Sequence, residues 1–131
     1  FEIDEQCLDY KMPCMILQPM VENAIQHGIA MTLENGHVWI RVYPQGNRVC
    51  LEVQDNGVGM TEEQIRSIYE DFQENKSSGN HIGIRNIYRR LRLYYHNDLK
   101  FEFYNMDPGL KIFISLPGGD DDNEIYDGDR R

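Results

Sequence analysis

The chain predicts a two-layer α/β sandwich, a mixed, mostly antiparallel sheet with helices on one face. Three observations predict it. Segments of helical and strand character follow in the order α, β, β, α, α, β, β. Short turn signals separate the members of two strand pairs, as antiparallel hairpins require. The strand–helix–strand alternation of a doubly wound domain is absent. With 131 residues, 40% of them hydrophobic and 11% aromatic, the chain has the size and apolar content of one domain with a core.

The first helix is expected over Cys14–Ala30. Ile16, Met20, Asn23 and His27 recur at helical spacing, Leu17, Val21, Ala24 and Gly28 form the neighbouring stripe, and Gly28 is a stop signal. Nothing before Cys14 reads as helical. His37–Tyr43 and Arg48–Gln54 are rich in β-branched and aromatic residues, and Pro44-Gln45-Gly46-Asn47 between them is a turn. Asp55-Asn56-Gly57-Val58-Gly59-Met60 is a glycine loop. Thr61-Glu62-Glu63-Gln64 has the form of a capping box and opens a helix to about Asn75. Glu74–Asn80 is polar with Ser and Gly, the composition of a mobile loop. Ile84, Ile87, Leu91 and Tyr94 repeat as a helix. Strands Leu99–Asn105 and Leu110–Leu116 flank a Met106-Asp107-Pro108-Gly109 turn.

Charge narrows the function. The formal net charge is −9, from 13 Lys+Arg against 22 Asp+Glu. Phosphate backbones require a basic surface, so nucleic-acid coating is excluded. Residues 118–131 carry six acids and two bases with only Ile125 and Tyr126 as large apolar side chains. The domain is therefore expected to span 1–117, and 118–131 to be an acidic, disordered tail. Positive charge concentrates at Arg85, Arg89, Arg90 and Arg92, of which Arg85, Arg89 and Arg92 share one helical face. Cys7, Cys14 and Cys50 show no C-x-x-C spacing, which favours free thiols in a reducing compartment. No apolar run approaches the roughly 20 residues of a membrane span. The chain starts at Phe1 and reads as a piece of a longer protein.

Three segments carry chemistry. Asp55 opens the glycine loop as an acceptor-only group suited to a ligand amino group, while Gly57 and Gly59 permit close approach of a ligand to the backbone. Asn-Gly is also the commonest hairpin turn, which is the alternative at this position. Glu22 and Asn23 stand midway along an apolar helix and offer hard oxygens to Mg²⁺, with Gln26 and His27 on the side of Asn23; an ordinary polar helix face is the alternative. Gly79–Asn86 leads a glycine-bearing loop into a helix N-terminus, where free N–H groups and the helix dipole attract phosphate and where Arg85 and Asn86 add polar contacts. A plain linker with a cap is the alternative there. The set describes a nucleotide site without a Walker loop.

In this order the motifs resemble the ATP-binding domain of histidine kinases (HATPase_c, GHKL superfamily), and more narrowly the LytS-type sensor histidine kinases. Ile16–Gly28 (ILQPMVENAIQHG) resembles that group's N box, Asp55–Met60 (DNGVGM) its G1 box and His81–Leu91 (HIGIRNIYRRL) its G2 region. The resemblance covers about residues 8–117. It implies a two-component kinase that transfers the γ-phosphoryl group of ATP to a histidine on an upstream dimerisation domain, and thence to a response-regulator aspartate. It implies ATP and Mg²⁺ as cofactors, and a membrane-anchored, homodimeric parent with this part in the cytoplasm. By resemblance Asn23 ligates Mg²⁺ and Glu22 helps polarise the acceptor. Asp55 accepts from the adenine amino group, and Gly57, Gly59 and Met60 shape the adenine pocket. His27, His81, Ile82, Gly83, Ile84, Arg85 and Asn86 line the nucleotide and its phosphates, under a lid at Asp71–Ile82.

The chain departs from the broader pattern at Pro19, Gln26, His81 and Leu110. Hydrolytic members carry a water-activating Glu where Pro19 stands, so efficient ATP hydrolysis is not expected. His27, His37, His81 and His96 all fall inside the fold, so none is the expected phosphoacceptor. Two alternatives accompany this expectation: an anti-sigma-factor-type serine kinase, and a degenerate module that keeps the fold only to dock a partner.

Overall fold

A computed structural model describes residues 2–3, 11–27, 36–74, 82–106 and 108–118, with backbone alone at 2–3, 11–15, 26–27, 74 and 82. Two short hairpins dominate it, since turn chemistry and alternation agree in both. β2 (Val38–Gln45) and β3 (Arg48–Asp55) pair antiparallel in the register Gln45↔Arg48 and Val38↔Asp55. Gly46 takes φ 63° as the first central turn residue, the position at which a type II′ turn favours glycine. The turn is two residues long, so Pro44 and Gln45 extend the strand instead of belonging to the turn. β4 (Lys100–Asn105) and β5 (Leu110–Pro117) form the second hairpin, with Asn105↔Leu110 at its tip.

β3 and β5 pair antiparallel, which joins the hairpins. A two-residue strand, β1 (Glu2–Ile3), adds in parallel to β2 and completes the order β1-β2-β3-β5-β4. Such a short strand has no periodicity to reveal it.

Alternation makes the sheet two-sided. Ile40 and Val42, Val49, Leu51 and Val53, Phe101 and Phe103, and Ile112, Ile114 and Leu116 are buried against the helices. Trp39 and Arg41 on the other face are exposed. The helices close the core with their own stripes. α1 (Lys11–His27) contributes Ile16, Met20 and Ala24, α2 (Glu62–Glu74) contributes Ile68, and α3 (Ile82–Tyr95) contributes Ile84, Ile87, Leu91 and Tyr95. Each fully buried Leu, Ile or Met side chain adds roughly 1.5–3 kcal/mol, which is what fixes the helical layer to the sheet. α1 packs on β2, β3 and α3.

The α2–α3 contact is aromatic. Phe72 stacks on Tyr88 with ring centroids 3.9 Å apart and planes 3° apart, and both meet Phe101 edge-on. Tyr69 from α2 packs its ring edge-on against Phe72 and Phe103, and its hydroxyl accepts the Phe103 N–H at 3.2 Å on the outer edge of β4.

Several expectations are corrected. α1 begins at Lys11, three residues before Cys14. Pro13 does not block it, because a first-turn N–H has no intrahelical partner to lose. Pro19 lies inside the same helix. The expected lid is helical at both margins: Asp71–Glu74 complete α2 and Ile82 opens α3. Asn86 falls in the second turn of α3, not the first. The chain from 75 to 81, His81 included, lies outside the described residues, as do Cys7, Gly28 and the tail beyond Gly118. Cys50 is a free, buried thiol. No helix among the described residues is long and apolar enough to cross a membrane.

Candidate functional site

One end of the sheet gathers the glycine loop. Val38 opens β2 there, Asp55 closes β3, Asn105 closes β4 and Leu110 opens β5, all in register. Asp55 is 4% exposed. Its Oδ1 accepts the Gly57 N–H at 2.8 Å, folding the loop back on its own carboxylate, and the Leu110 N–H donates to the same group. Burial pushes the carboxyl above its ordinary value, and these two N–H groups pull against that rise. A carboxylate held from the backbone side keeps acceptor capacity for a ligand donor.

The rest of the loop is held by its neighbours. Asn56 Oδ1 accepts the His37 N–H at 2.8 Å, and the Asn56 N–H reaches the His37 carbonyl at 3.3 Å. Gly59 has φ 73°, and a Cβ there would lie 2.9 Å from both Asn105 Oδ1 and the Gly109 carbonyl oxygen. Gly109 has φ 104°, and its Cβ would lie 1.8 Å from the Asp55 carbonyl oxygen, so only glycine fits between the β4–β5 turn and β3. Asn105 clasps the Met60 backbone: its Oδ1 accepts the Met60 N–H at 2.9 Å and its Nδ2 donates to the Met60 carbonyl. The Met60 side chain packs on the core.

The expected capping box is present. Thr61 Oγ1 accepts the Gln64 N–H at 3.0 Å, and Gln64 Oε1 accepts the Thr61 N–H at 2.8 Å. Asp55, Gly57, Gly59 and Met60 are thus one locus. Asn105, Gly109 and Leu110 complete it, and the first two are residues the sequence marked only as a strand end and a turn.

On α1, Asn23 is half-buried and Glu22 exposed, with Gln18 Nε2 donating to Glu22 Oε2 at 3.2 Å. His27 is the last helical residue and its side chain lies outside the description. On α3, Gly83 is exposed, and a Cβ on it would meet no described atom within 4 Å. Ile84 points into the core, Arg85 is 3% exposed, and Asn86 is exposed.

The far end of the sheet shows the direction of α3. Arg48, which opens β3, donates Nε to Ser115 Oγ at 2.6 Å, one terminal nitrogen to the Ser115 carbonyl at 2.9 Å and the other to Asp98 at 2.6 Å. Asp98 lies just past the C-terminus of α3, and Tyr88 midway along the helix sits beside Phe101. The helix therefore leaves its C-terminus at the Arg48 end and directs Ile82 and Gly83 toward the Asp55 end. Its positive dipole end faces that way. Among the described residues no three His, Cys, Asp or Glu cluster as a metal site. Asn23 offers an amide oxygen that could hold a divalent ion, and Mg²⁺ ordinarily completes its shell with phosphate oxygens and water.

A buried acceptor at a glycine loop, with the N-terminus of α3 directed toward the same end of the sheet and no Walker loop, is the arrangement of a nucleotide-binding α/β sandwich of the kinase and ATPase type. Residues 9–119 match the model of the family described as histidine kinase-, DNA gyrase B- and HSP90-like ATPases, and the chain belongs to that family. It is 35% identical over 117 residues to the sensor histidine kinase YpdA of Escherichia coli K12, covering 89% of this chain and 20% of that one. It is 32% identical over 116 residues to the sensor protein LytS of Oceanobacillus iheyensis, covering 88% and 20%. The solved catalytic domain of the histidine kinase ThkA superposes with a TM-score of 0.65 at 22% identity, over 89% of this chain and 75% of that one. The chain is thus a histidine-kinase-type ATPase domain, spanning about one fifth of the length of the curated relatives it matches.

Proposed function

We propose that this chain is the catalytic unit of a sensor histidine kinase, binding ATP with Mg²⁺ and presenting the γ-phosphoryl group to a histidine on a dimerisation domain outside it. The single observation that carries this reading is Asp55, a buried carboxylate with its own loop and Leu110 folded against it. Asp55 accepts from the exocyclic amino group of adenine, and Gly57, Gly59 and Met60 form the wall of the base pocket. Phosphates lie at the N-terminus of α3, held by the backbone at Ile82, Gly83 and Ile84. Ile84 takes part through its N–H alone, since its side chain is core. An exposed glycine in a helix costs about 1 kcal/mol relative to alanine, and no described neighbour demands one at position 83, which supports a ligand at that place. By the resemblance, Arg85, Asn86, His81 and His27 would complete the lining.

Asn23 supplies the amide oxygen for Mg²⁺, whose role is to neutralise charge on the phosphates. Glu22, held by Gln18, faces solvent on the turn that carries Asn23 and accepts a proton from, or polarises, the incoming histidine. Catalysis here is positioning and electrostatics, with little covalent work for the domain itself. The phosphohistidine then serves a response-regulator aspartate. The resemblance to LytS-type kinases supports a cytoplasmic position for the domain in a membrane-anchored, homodimeric parent.

Calorimetric titration tests the reading. ATP with Mg²⁺ binds in the micromolar to millimolar range, Asp55→Asn abolishes binding, and no autophosphorylation occurs without an added phosphoacceptor domain. Asn23→Ala weakens Mg²⁺-dependent ATP binding and spares adenosine. Equal losses for both ligands would make Asn23 structural, and a wild-type chain that binds no nucleotide would leave only a docking module.

A further inference from the structure

We infer that Asn105 is a positioning residue for the nucleotide site, a latch from the end of β4 that holds the glycine loop in its ligand-ready shape. The inference rests on the nucleotide reading of Asp55. Its basis is a pair of hydrogen bonds from one exposed side chain to one backbone residue: Oδ1 accepts the Met60 N–H at 2.9 Å, and Nδ2 donates to the Met60 carbonyl. A primary amide offers an acceptor and a donor side by side, so it pairs with a peptide unit much as a neighbouring strand does.

The loop is shaped around this latch. Gly59, just before Met60, has φ 73°, and Asn105 Oδ1 and the Gly109 carbonyl oxygen both crowd the place a Cβ would take. Gly109 in turn packs on the Asp55 carbonyl, and the Met106 N–H closes the turn onto the Gly109 carbonyl at 2.8 Å. The β4–β5 turn therefore grips the glycine loop at both ends, with Gly109 against Asp55 and Asn105 against Met60. Asn105 is exposed, so its removal opens no cavity in the core. What it removes is the tie between the two ends of the grip. The loop then samples other shapes, and apparent affinity falls by the fraction of molecules still competent to bind.

Four proteins are compared well below their melting temperatures: wild type, Asn105→Ala, Asn105→Asp and Arg48→Ala. Amide hydrogen exchange at Met60 and calorimetric affinity for ATP with Mg²⁺ are measured in each. Asn105→Ala is expected to speed Met60 exchange and weaken ATP binding, each about ten-fold for two lost hydrogen bonds. Asn105→Asp matches the shape but sets an oxygen against the Met60 carbonyl, and is expected to lose at least as much. Arg48→Ala destabilises the far end of the sheet and is expected to change neither quantity.

Unchanged Met60 exchange in Asn105→Ala, or ATP affinity within two-fold of a wild type that does bind, would overturn the latch. So would an equal loss of affinity in Arg48→Ala, because general destabilisation would then explain the effect. A wild type that binds no nucleotide would overturn the functional reading instead, and with it any role for Asn105 in binding.

Discussion

Asp55 carries the strongest electrostatic signature of the site. Burial raises its folded-state pKa above the ordinary 3.8, against the pull of the Gly57 and Leu110 N–H groups. The fold therefore favours the protonated carboxyl. The stability this contributes is complete below the unfolded value and is lost as pH rises through the folded pKa, so above that pKa the ionised group costs the ligand-free protein stability. Binding an amino group needs the ionised form. Adenosine affinity is thus expected to be constant near neutrality and to fall with acidification at a higher pH than an ordinary carboxylate would show. Adenosine has no phosphate to titrate, so calorimetry across that range reports Asp55. A profile flat down to pH 4 would contradict the assignment. Asp55, Gly57 and Gly59 were legible from local chemistry alone, a strand followed by two glycines and a cap. Asn105 and Gly109 were not, because each acts on a residue distant in the chain and no local pattern records such a contact.

The cap on α2 joins the glycine loop to a secondary-structure element. Thr61 and Gln64 satisfy each other's N–H groups, and Thr61 directly follows Met60. Thr61→Ala is expected to cost about 1 kcal/mol, read from denaturant unfolding, and to fray the first turn where the loop enters it. This motif was visible in the sequence because its four residues are contiguous, as were the helix stripes and both hairpins. The start of α1 was misread because Met12-Pro13 looks like a boundary, whereas a proline within the first turn is compatible with a helix. β1 was invisible because two residues pair only when β2 already stands beside them. The margins of the expected lid came from the family resemblance. The capping box gave a helix to about Asn75, and α2 does run to Glu74, with Phe72 stacked on Tyr88.

The molecule has two ends with different tasks. One holds the Asp55 loop; the other is clamped by Arg48, which satisfies the buried Ser115 hydroxyl and carbonyl and reaches Asp98. Arg48→Ala leaves those buried groups without their partner and is expected to cost roughly 1–3 kcal/mol of stability, seen as a lower Tm, with ATP affinity unchanged. A parallel loss of affinity would show that the ends are coupled. The fold class followed from element order, and the one-sided covering of the sheet from alternation. The direction of α3 did not follow from either; it is read from Asp98, just past the helix, meeting Arg48 at the far end.

The outermost strand, β4, has consequences for behaviour at high concentration. A bare sheet rim is a template onto which another polypeptide can be added. Tyr69 occupies one of its donors by offering an oxygen to the Phe103 amide. Replacing it by phenylalanine keeps the ring in the aromatic cluster and uncovers that amide. The variant should stay folded yet scatter light and seed fibrils sooner than wild type under gentle heating. The phenolic oxygen of Tyr69 would then be one guard against crowded copies of this protein joining through β4.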